Sequence, residues 1–352
     1  MSQYPYQEKA SRVDTVGATS VVSQLSMTTG THPPDDSRSF DSLSSDSGVG
    51  PSKSSVHRKI AVRRAVESWI VATLEKGVNG IAQEYLRIRK DVDQRELTAF
   101  RVANGLGKNR FGDIGCLDCS RVVLHHQNPD YIHASYVSSP RSSRRFICTQ
   151  VKTIVMLCDF FEQNLSKCAV YFPVEKGQTL QFENFEIVNQ DVSEIGADEG
   201  TYRYTIAVTS LRVKSTLGTQ KVLHYFVRDW ADRRVCSPRL ICRLLTEIRS
   251  SDRPIVVHCS SGVGRSGTMI AVEVILEKLI AGESNVDCER VIHQIRRQRA
   301  CAVSTDAQYL FVHRVILHYL EAKRRLRRSL KPSVNKFYID YDKFILASNK
   351  LK

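Results

Sequence analysis

The sequence predicts one mixed α/β domain, and three observations predict it. Ile255, Val256 and Val257 form a short unbroken apolar run, as in a strand covered on both faces, and a glycine-bearing loop follows at once. Residues 182–190, 202–213 and 222–228 alternate or run apolar, the pattern of further strands. Residues 238–249, 266–281, 288–298 and 306–322 instead repeat their apolar side chains at helical spacing. Strands followed by helices imply a sheet with helices packed against it.

The chain has 352 residues, 42% of them hydrophobic, enough for a sizeable core. No apolar run approaches the roughly 20 residues of a membrane-spanning helix, and the polar first residues do not resemble a secretory signal. A soluble chain in the cytoplasm is the expectation. Ten cysteines are spread singly rather than in a disulfide framework. Cys116 and Cys119 form the one close pair, without the second pair or histidine that a zinc site needs. Neither metal nor organic cofactor is expected.

Residues 1–56 hold 14 serines and 5 threonines with no sustained periodicity, so they read as a disordered segment. They carry four Lys and Arg against six Asp and Glu, a balance of −2, which leaves +16 of the net +14 on the remainder. Such a field favours anionic partners. Ala65, Val66, Trp69, Ile70 and Leu74 then mark a helix that Gly77 can end, and Ile81, Tyr85 and Leu86 mark a second. In the loop from Asn104 to Ile114, Gly107-Lys108 lacks the glycine and the Ser or Thr that a nucleotide-binding loop would place around it.

The chemistry concentrates between Pro254 and Gly267. Gly262 and Gly264 permit a tight phosphate-cradling backbone, and the helix that opens at Ser266 adds its own N-terminal N–H groups. The N–H groups of Ser260, Ser261, Gly262, Val263 and Gly264 can then converge on one anion. Cys259 at the mouth of this loop is placed to act as a thiolate nucleophile. Arg265 can offer two parallel donors to a phosphoryl group. A thiolate facing a bound phosphate points to phosphoryl transfer through a phosphocysteine.

His258-Cys259, five residues and then Arg265-Ser266 resemble the signature of the protein tyrosine phosphatase family. The resemblance extends over residues 57–322 and includes Asn109-Arg-Phe-Gly-Asp113, Ser120 to Leu124, Asp130 to Tyr136, Phe146 to Gln150, Trp230-Ala-Asp232 and Gln298 to Tyr309. It implies a highly twisted mixed sheet flanked by helices and hydrolysis of phosphotyrosine in proteins. It also implies roles for residues. Phe111 would stack on the substrate ring and Asp113 would grip its backbone. Asp232 would serve as general acid and then base, Ser266 would steady the thiolate, and Gln308 would guide water. His258 would support the loop, Glu162 would brace Arg265, and Lys167 would lie near the acid.

The chain departs from that family at four places. A helix-length segment is missing after Gln150. Ala231 stands where the family has proline, Arg233-Arg234 replace His-Gly, and Ser304 replaces a glutamine. These departures keep a second reading open: a catalytically weak module that holds phosphotyrosine. A dual-specificity phosphatase is disfavoured, because such enzymes lack the loop represented by Asn109 to Asp113. Cys168 to Pro173 is expected as a strand. Residues 323–352, with ten Lys and Arg against two Asp, read as a basic tail. An anchor for acidic lipid or a nuclear-import patch is its sharper alternative. No nucleic-acid partner is expected.

Overall fold

The computed structural model describes residues 53–350 apart from 126, 127, 141, 147–151, 200, 201, 229 and 252. The expectation of disorder over 1–56 therefore lies almost wholly outside the described residues. Its last positions belong to a helix that begins at Lys53.

The first helix, α1 (Lys53–Arg87), breaks at Gly77, whose φ of 59° and ψ of −179° no helical residue adopts. The two helices expected on either side of that glycine are thus its two halves. A second helix, α2 (Thr98–Gly105), was not expected. Its first-turn N–H groups at Thr98 and Ala99 are satisfied by the Asp118 carboxylate, 2.7 and 3.1 Å away. Strands β1 (Arg121–Val123), β2 (Tyr131–Ser135), β3 (Val137–Ser139), β4 (Ser142–Phe146) and β5 (Thr153–Met156) follow. Two-residue strands β6 (Phe161–Glu162) and β7 (Leu165–Ser166) make a small hairpin of their own. Then come β8 (Thr179–Phe182), β9 (Phe185–Glu199), β10 (Tyr202–Ser215) and β11 (Gly218–Val227). Helix α3 (Pro238–Ile248), strand β12 (Ile255–His258) and helices α4 (Arg265–Ala281), α5 (Cys288–Arg296), α6 (Asp306–Ala322) and α7 (Lys331–Lys350) complete the chain.

Among the described residues, eight strands form one mixed sheet in the order β3-β4-β12-β5-β11-β10-β9-β8. The four strands β4, β12, β5 and β11 run parallel, and the flanking pairs are antiparallel. β12 and β5 are buried along almost their whole length, which explains their unbroken apolar runs. Helix α4 is buried on nearly all sides against the sheet, and α6 is buried likewise among the helices α1, α3, α4 and α7.

The register brings the end of β4 level with the start of β5. Phe146 at the end of β4 and Thr153 at the start of β5 both pair with Ile255 of β12, on its opposite sides. The ends of β4 and β5 therefore lie about two strand spacings, roughly 10 Å, apart. The segment expected to be missing after Gln150 falls at residues 147–151, outside the described residues.

Two expectations are corrected. Residues 168–173 join no ladder; Tyr171 and Phe172 are instead buried as aromatic wedges against His224, Phe160 and Phe226. The expected basic tail is largely helix α7, because Val334, Phe337 and Tyr341 form a stripe that buries against the core. No helix among the described residues is long and apolar enough to cross a membrane.

Candidate active site

β12 carries the chain to His258, and α4 takes it away from Arg265. The loop between them turns at Gly262, whose φ is +69°. A Cβ there would also come within 3.0 Å of an Arg299 guanidinium nitrogen, so both conformation and space ask for glycine. Cys259 lies buried at the foot of this loop.

Arg265 is wholly buried, with 0% exposure. Its Nη1 donates to the Trp230 carbonyl at 2.6 Å and to the Glu162 carboxylate. Its Nε and Nη2 have no hydrogen-bond partner among the described residues. Burial opposes the guanidinium's charge, but the nearby Cys259 sulfur and Glu162 more than offset it and hold its pKa above the ordinary value. A buried fork with two unused donors is costly unless an anion completes it.

Asp232 reaches the same point from the loop after β11. Its Oδ1 lies 3.4 Å from Arg265 Nη2, and its Oδ2 accepts a hydrogen bond from Lys167 Nζ at 3.0 Å. Its backbone N–H donates to Glu162 at 2.9 Å. Burial works to raise the Asp232 pKa, yet Lys167 and Arg265 prevail and hold the carboxyl below the usual range. Glu162, at the end of β6, thus ties Arg265 and the Asp232 loop together. Lys167 follows β7, so one small hairpin supplies both groups.

The other expected residues fall around this centre. His258 shares the Tyr171 hydroxyl with His224, each Nε2 at 2.6 Å. Burial holds His224 well below its ordinary pKa, so it is neutral. Ser266 is buried in the first turn of α4, its hydroxyl without a hydrogen-bond partner among the described residues. Gln308 on α6 accepts from the Ser304 N–H through Oε1, while its buried Nε2 has no partner among the described residues. A Cβ on Gly264 would meet Ser304 Oγ at 3.0 Å and Gln308 Nε2 at 3.1 Å, so both side chains lie directly against the loop between β12 and α4. Phe111 is half-exposed with the Arg110 guanidinium over its ring, and Asp113 is exposed to solvent.

Three contributors escaped the sequence reading. Arg299, buried, donates to the Gly262 carbonyl at 3.2 Å and the Ser261 carbonyl at 3.0 Å, gripping the loop from behind. His133 on β2 joins Arg299 to the loop bearing Phe111. Its Nε2 lies 2.8 Å from the Ile114 carbonyl, which makes it the donor and leaves Nδ1 to accept from Arg299 at 3.3 Å. Burial, aided by the Arg299 charge, lowers the His133 pKa to about 4 and keeps that tautomer neutral. Arg110 donates to the carbonyls of Lys167 and Ser166, fastening the same loop to the hairpin. Arg110 stands inside Asn109 to Asp113, His133 inside Asp130 to Tyr136 and Arg299 inside Gln298 to Tyr309, so membership of a matched stretch was the available signal.

Val303, β-branched, sits at φ +60° just before Ser304. Such a residue strains the backbone by about 1–2 kcal/mol. The strain is held by its N–H to the Val263 carbonyl at 3.0 Å and by its carbonyl, which accepts from Tyr85 and Arg296. That conformation presents Ser304 and Gln308 to the loop.

Comparison with known proteins follows the same outline. Residues 106–318 match the family model described as protein-tyrosine phosphatase. Tyrosine-protein phosphatase non-receptor type 9 of Rattus norvegicus is 30% identical over 285 residues, covering 69% of this chain and 46% of that protein. The receptor-type tyrosine-protein phosphatase eta of Gallus gallus is 28% identical, covering 71% of this chain and 19% of its own. The chain thus spans about half the length of the non-receptor relative, and less of the receptor. Among solved structures, the catalytic domain of human protein tyrosine phosphatase non-receptor type 18 superposes with a TM-score of 0.58 at 22% identity, covering 74% of this chain and 99% of that one. A structure of the same phosphatase in complex with HER2-pY1196 phosphopeptides gives 0.60 at 22%, covering 72% and 98%.

Proposed function

The chain belongs to the protein-tyrosine phosphatase family, and from that premise we propose that it hydrolyses phosphotyrosine in proteins through a phosphocysteine. One observation carries this reading: the wholly buried Arg265 has Nε and Nη2 without a hydrogen-bond partner among the described residues, and the Asp232 carboxylate lies 3.4 Å from Nη2.

The phosphoryl oxygens fill Arg265 Nε and Nη2 and the N–H groups of residues 260–264. Cys259 Sγ attacks phosphorus in line as the bond to the phenolic oxygen breaks, and Asp232 gives that oxygen its proton. Binding the dianion occupies Arg265 and places negative charge beside Asp232. Both effects favour the protonated carboxyl that this step requires. Water, oriented by Gln308 Nε2, then attacks phosphorus while Asp232 takes its proton. The P–S bond breaks, phosphate leaves, and Ser266 donates to the departing thiolate. Phe111 stacks on the substrate ring. Asp113 accepts from its backbone. His258, held by Tyr171, fixes the base of the loop. No step calls on a metal or cofactor.

Phosphotyrosine-containing proteins are the substrate class that this arrangement fits, as the peptide complexes of the type 18 relative illustrate for that protein. A reducing, cytoplasmic setting suits the free Cys259. An acidic membrane surface suits the basic segment after α6 as a second partner.

Turnover of an aryl phosphate and of a phosphotyrosine peptide by the purified chain tests the reading. Cys259→Ser should abolish turnover while keeping phosphopeptide binding, because the N–H cradle and Arg265 remain. Near-wild-type turnover by that variant would overturn the phosphocysteine route.

A further inference from the structure

Helices α4 and α6 both begin at the phosphate-cradling loop, one through Arg265 and the other through Gln308 beside Gly264. Each has 17 residues, so their far ends lie about 25 Å away. The far end of α4, Gly282, abuts Ala61 and Val62 of α1. Immediately after α6 the chain runs through Lys323, Arg324, Arg325, Arg327 and Arg328. Arg327 then pairs with Glu67 of α1, and so does Arg63. Two segments more than 250 residues apart in sequence are thereby locked into one surface.

That surface is basic and partly apolar. Arg58, Lys59, Arg63 and Arg64 are exposed on α1, as are Lys323, Arg324, Arg327 and Arg328 on the connector. Val56 and Ile60 stand 40% and 44% exposed one helical turn apart, on the stripe that continues through Arg63 and Arg64. Glu67, the acidic group between the two segments, is already shared by two arginines.

We propose that this pole docks on a membrane leaflet rich in acidic lipid, Val56 and Ile60 entering the interface while the surrounding Arg and Lys meet the headgroups. The inference extends the acidic-membrane reading of the basic segment by adding the start of α1 as the other half of the surface. Charge complementarity favours an acidic partner. Exposed aliphatic side chains among the basic ones favour a lipid interface over single-stranded nucleic acid, which would call for aromatic stacking platforms. At about 25 Å the pole lies about three Debye lengths away at physiological salt, so docking leaves the field at Arg265 and Asp232 unchanged.

The test is co-sedimentation of the full chain with phosphatidylcholine vesicles, with and without phosphatidylserine, alongside aryl phosphate turnover. Binding should require phosphatidylserine and fall away at high salt. Arg58→Gln and Arg324→Gln should each lower it about fivefold, a factor corresponding to roughly 1 kcal/mol per basic residue. Val56→Ser with Ile60→Ser should weaken binding further at equal charge, and turnover should be unchanged in every variant. Equal binding to neutral vesicles overturns the proposal, as does insensitivity to Arg58→Gln. So does tighter capture by single-stranded RNA or polyglutamate than by acidic vesicles. Loss of turnover in the wild type would count against the phosphatase reading alone, because vesicle binding is measured separately.

Discussion

Lys167 Nζ donates to Asp232 Oδ2 at 3.0 Å, so the residue proposed as general acid is held ionised until substrate arrives. Lys167→Met removes the main group that opposes burial, and the Asp232 pKa rises. The acid then keeps its proton to higher pH, so the basic limb of the pH–rate profile should move upward. The depressed carboxylate also contributes stability above its unfolded pKa, lost as pH falls through the native value. In the variant this acid-sensitive contribution should shrink, which denaturant titration from pH 7 down to pH 3 would detect. An unmoved basic limb would remove Lys167 from control of the acid.

Arg299→Met should leave the carbonyls of Ser261 and Gly262 and the nitrogen of His133 without their donor. Leaving a buried acceptor without its donor costs about 1–3 kcal/mol. The melting temperature should drop, and phosphate binding should weaken in whatever fraction stays folded. Calorimetry and an oxyanion titration would measure the two effects separately. A stable variant with normal phosphate affinity would show that the loop holds its shape unaided.

Gly267→Ala should be poorly tolerated although glycine here sits inside a helix, where alanine is normally better. Its Cβ would come 2.7 Å from the Val303 backbone nitrogen and 3.1 Å from Ala302. Neither neighbour can swing away, since Val303 is pinned on both its N–H and its carbonyl. Overpacking of this kind costs about 1–3 kcal/mol. Turnover should fall with stability, because the displaced residue precedes Ser304.

Ser304 lacks the length of the glutamine that the family resemblance implies at its position, and Gln308 spends its Oε1 on the Ser304 N–H. In the proposed mechanism Gln308 Nε2, without a hydrogen-bond partner among the described residues, orients water for the second step. A burst of phenol release followed by slower turnover is therefore expected. Ser304→Gln should raise the steady rate and shrink the burst. Stopped-flow release with both proteins checks this, and a wild type without a burst would place the slow step earlier.

Much of the site was legible because it is local. Apolar run, glycine loop and helical stripe from Ile255 to Leu279 specify strand, turn and helix through neighbouring residues alone, and the structure places them there. Gly77 likewise breaks α1 through its own backbone. Long-range pairings were not legible in this way. Nothing in the order of residues says that Arg299 will lie behind Ser261, that His133 will carry the bond onward to Ile114, or that Arg110 will clasp the β6–β7 hairpin. A cation's role is set by which carbonyls folding leaves unpaired near it.

The sequence by itself determined the strand, glycine loop and helix around Cys259 and the helices that follow them. Each of these depends on periodicity or on conformations open to glycine within a few residues. Only the tertiary structure decided the rest. Phe146 of β4 and Thr153 of β5 share a level on Ile255. Val334, Phe337 and Tyr341 find a face to bury against, which turns a basic tail into α7. Apolar stripes and charged groups gain their energy from the partner surface, and that surface exists only once distant segments have packed.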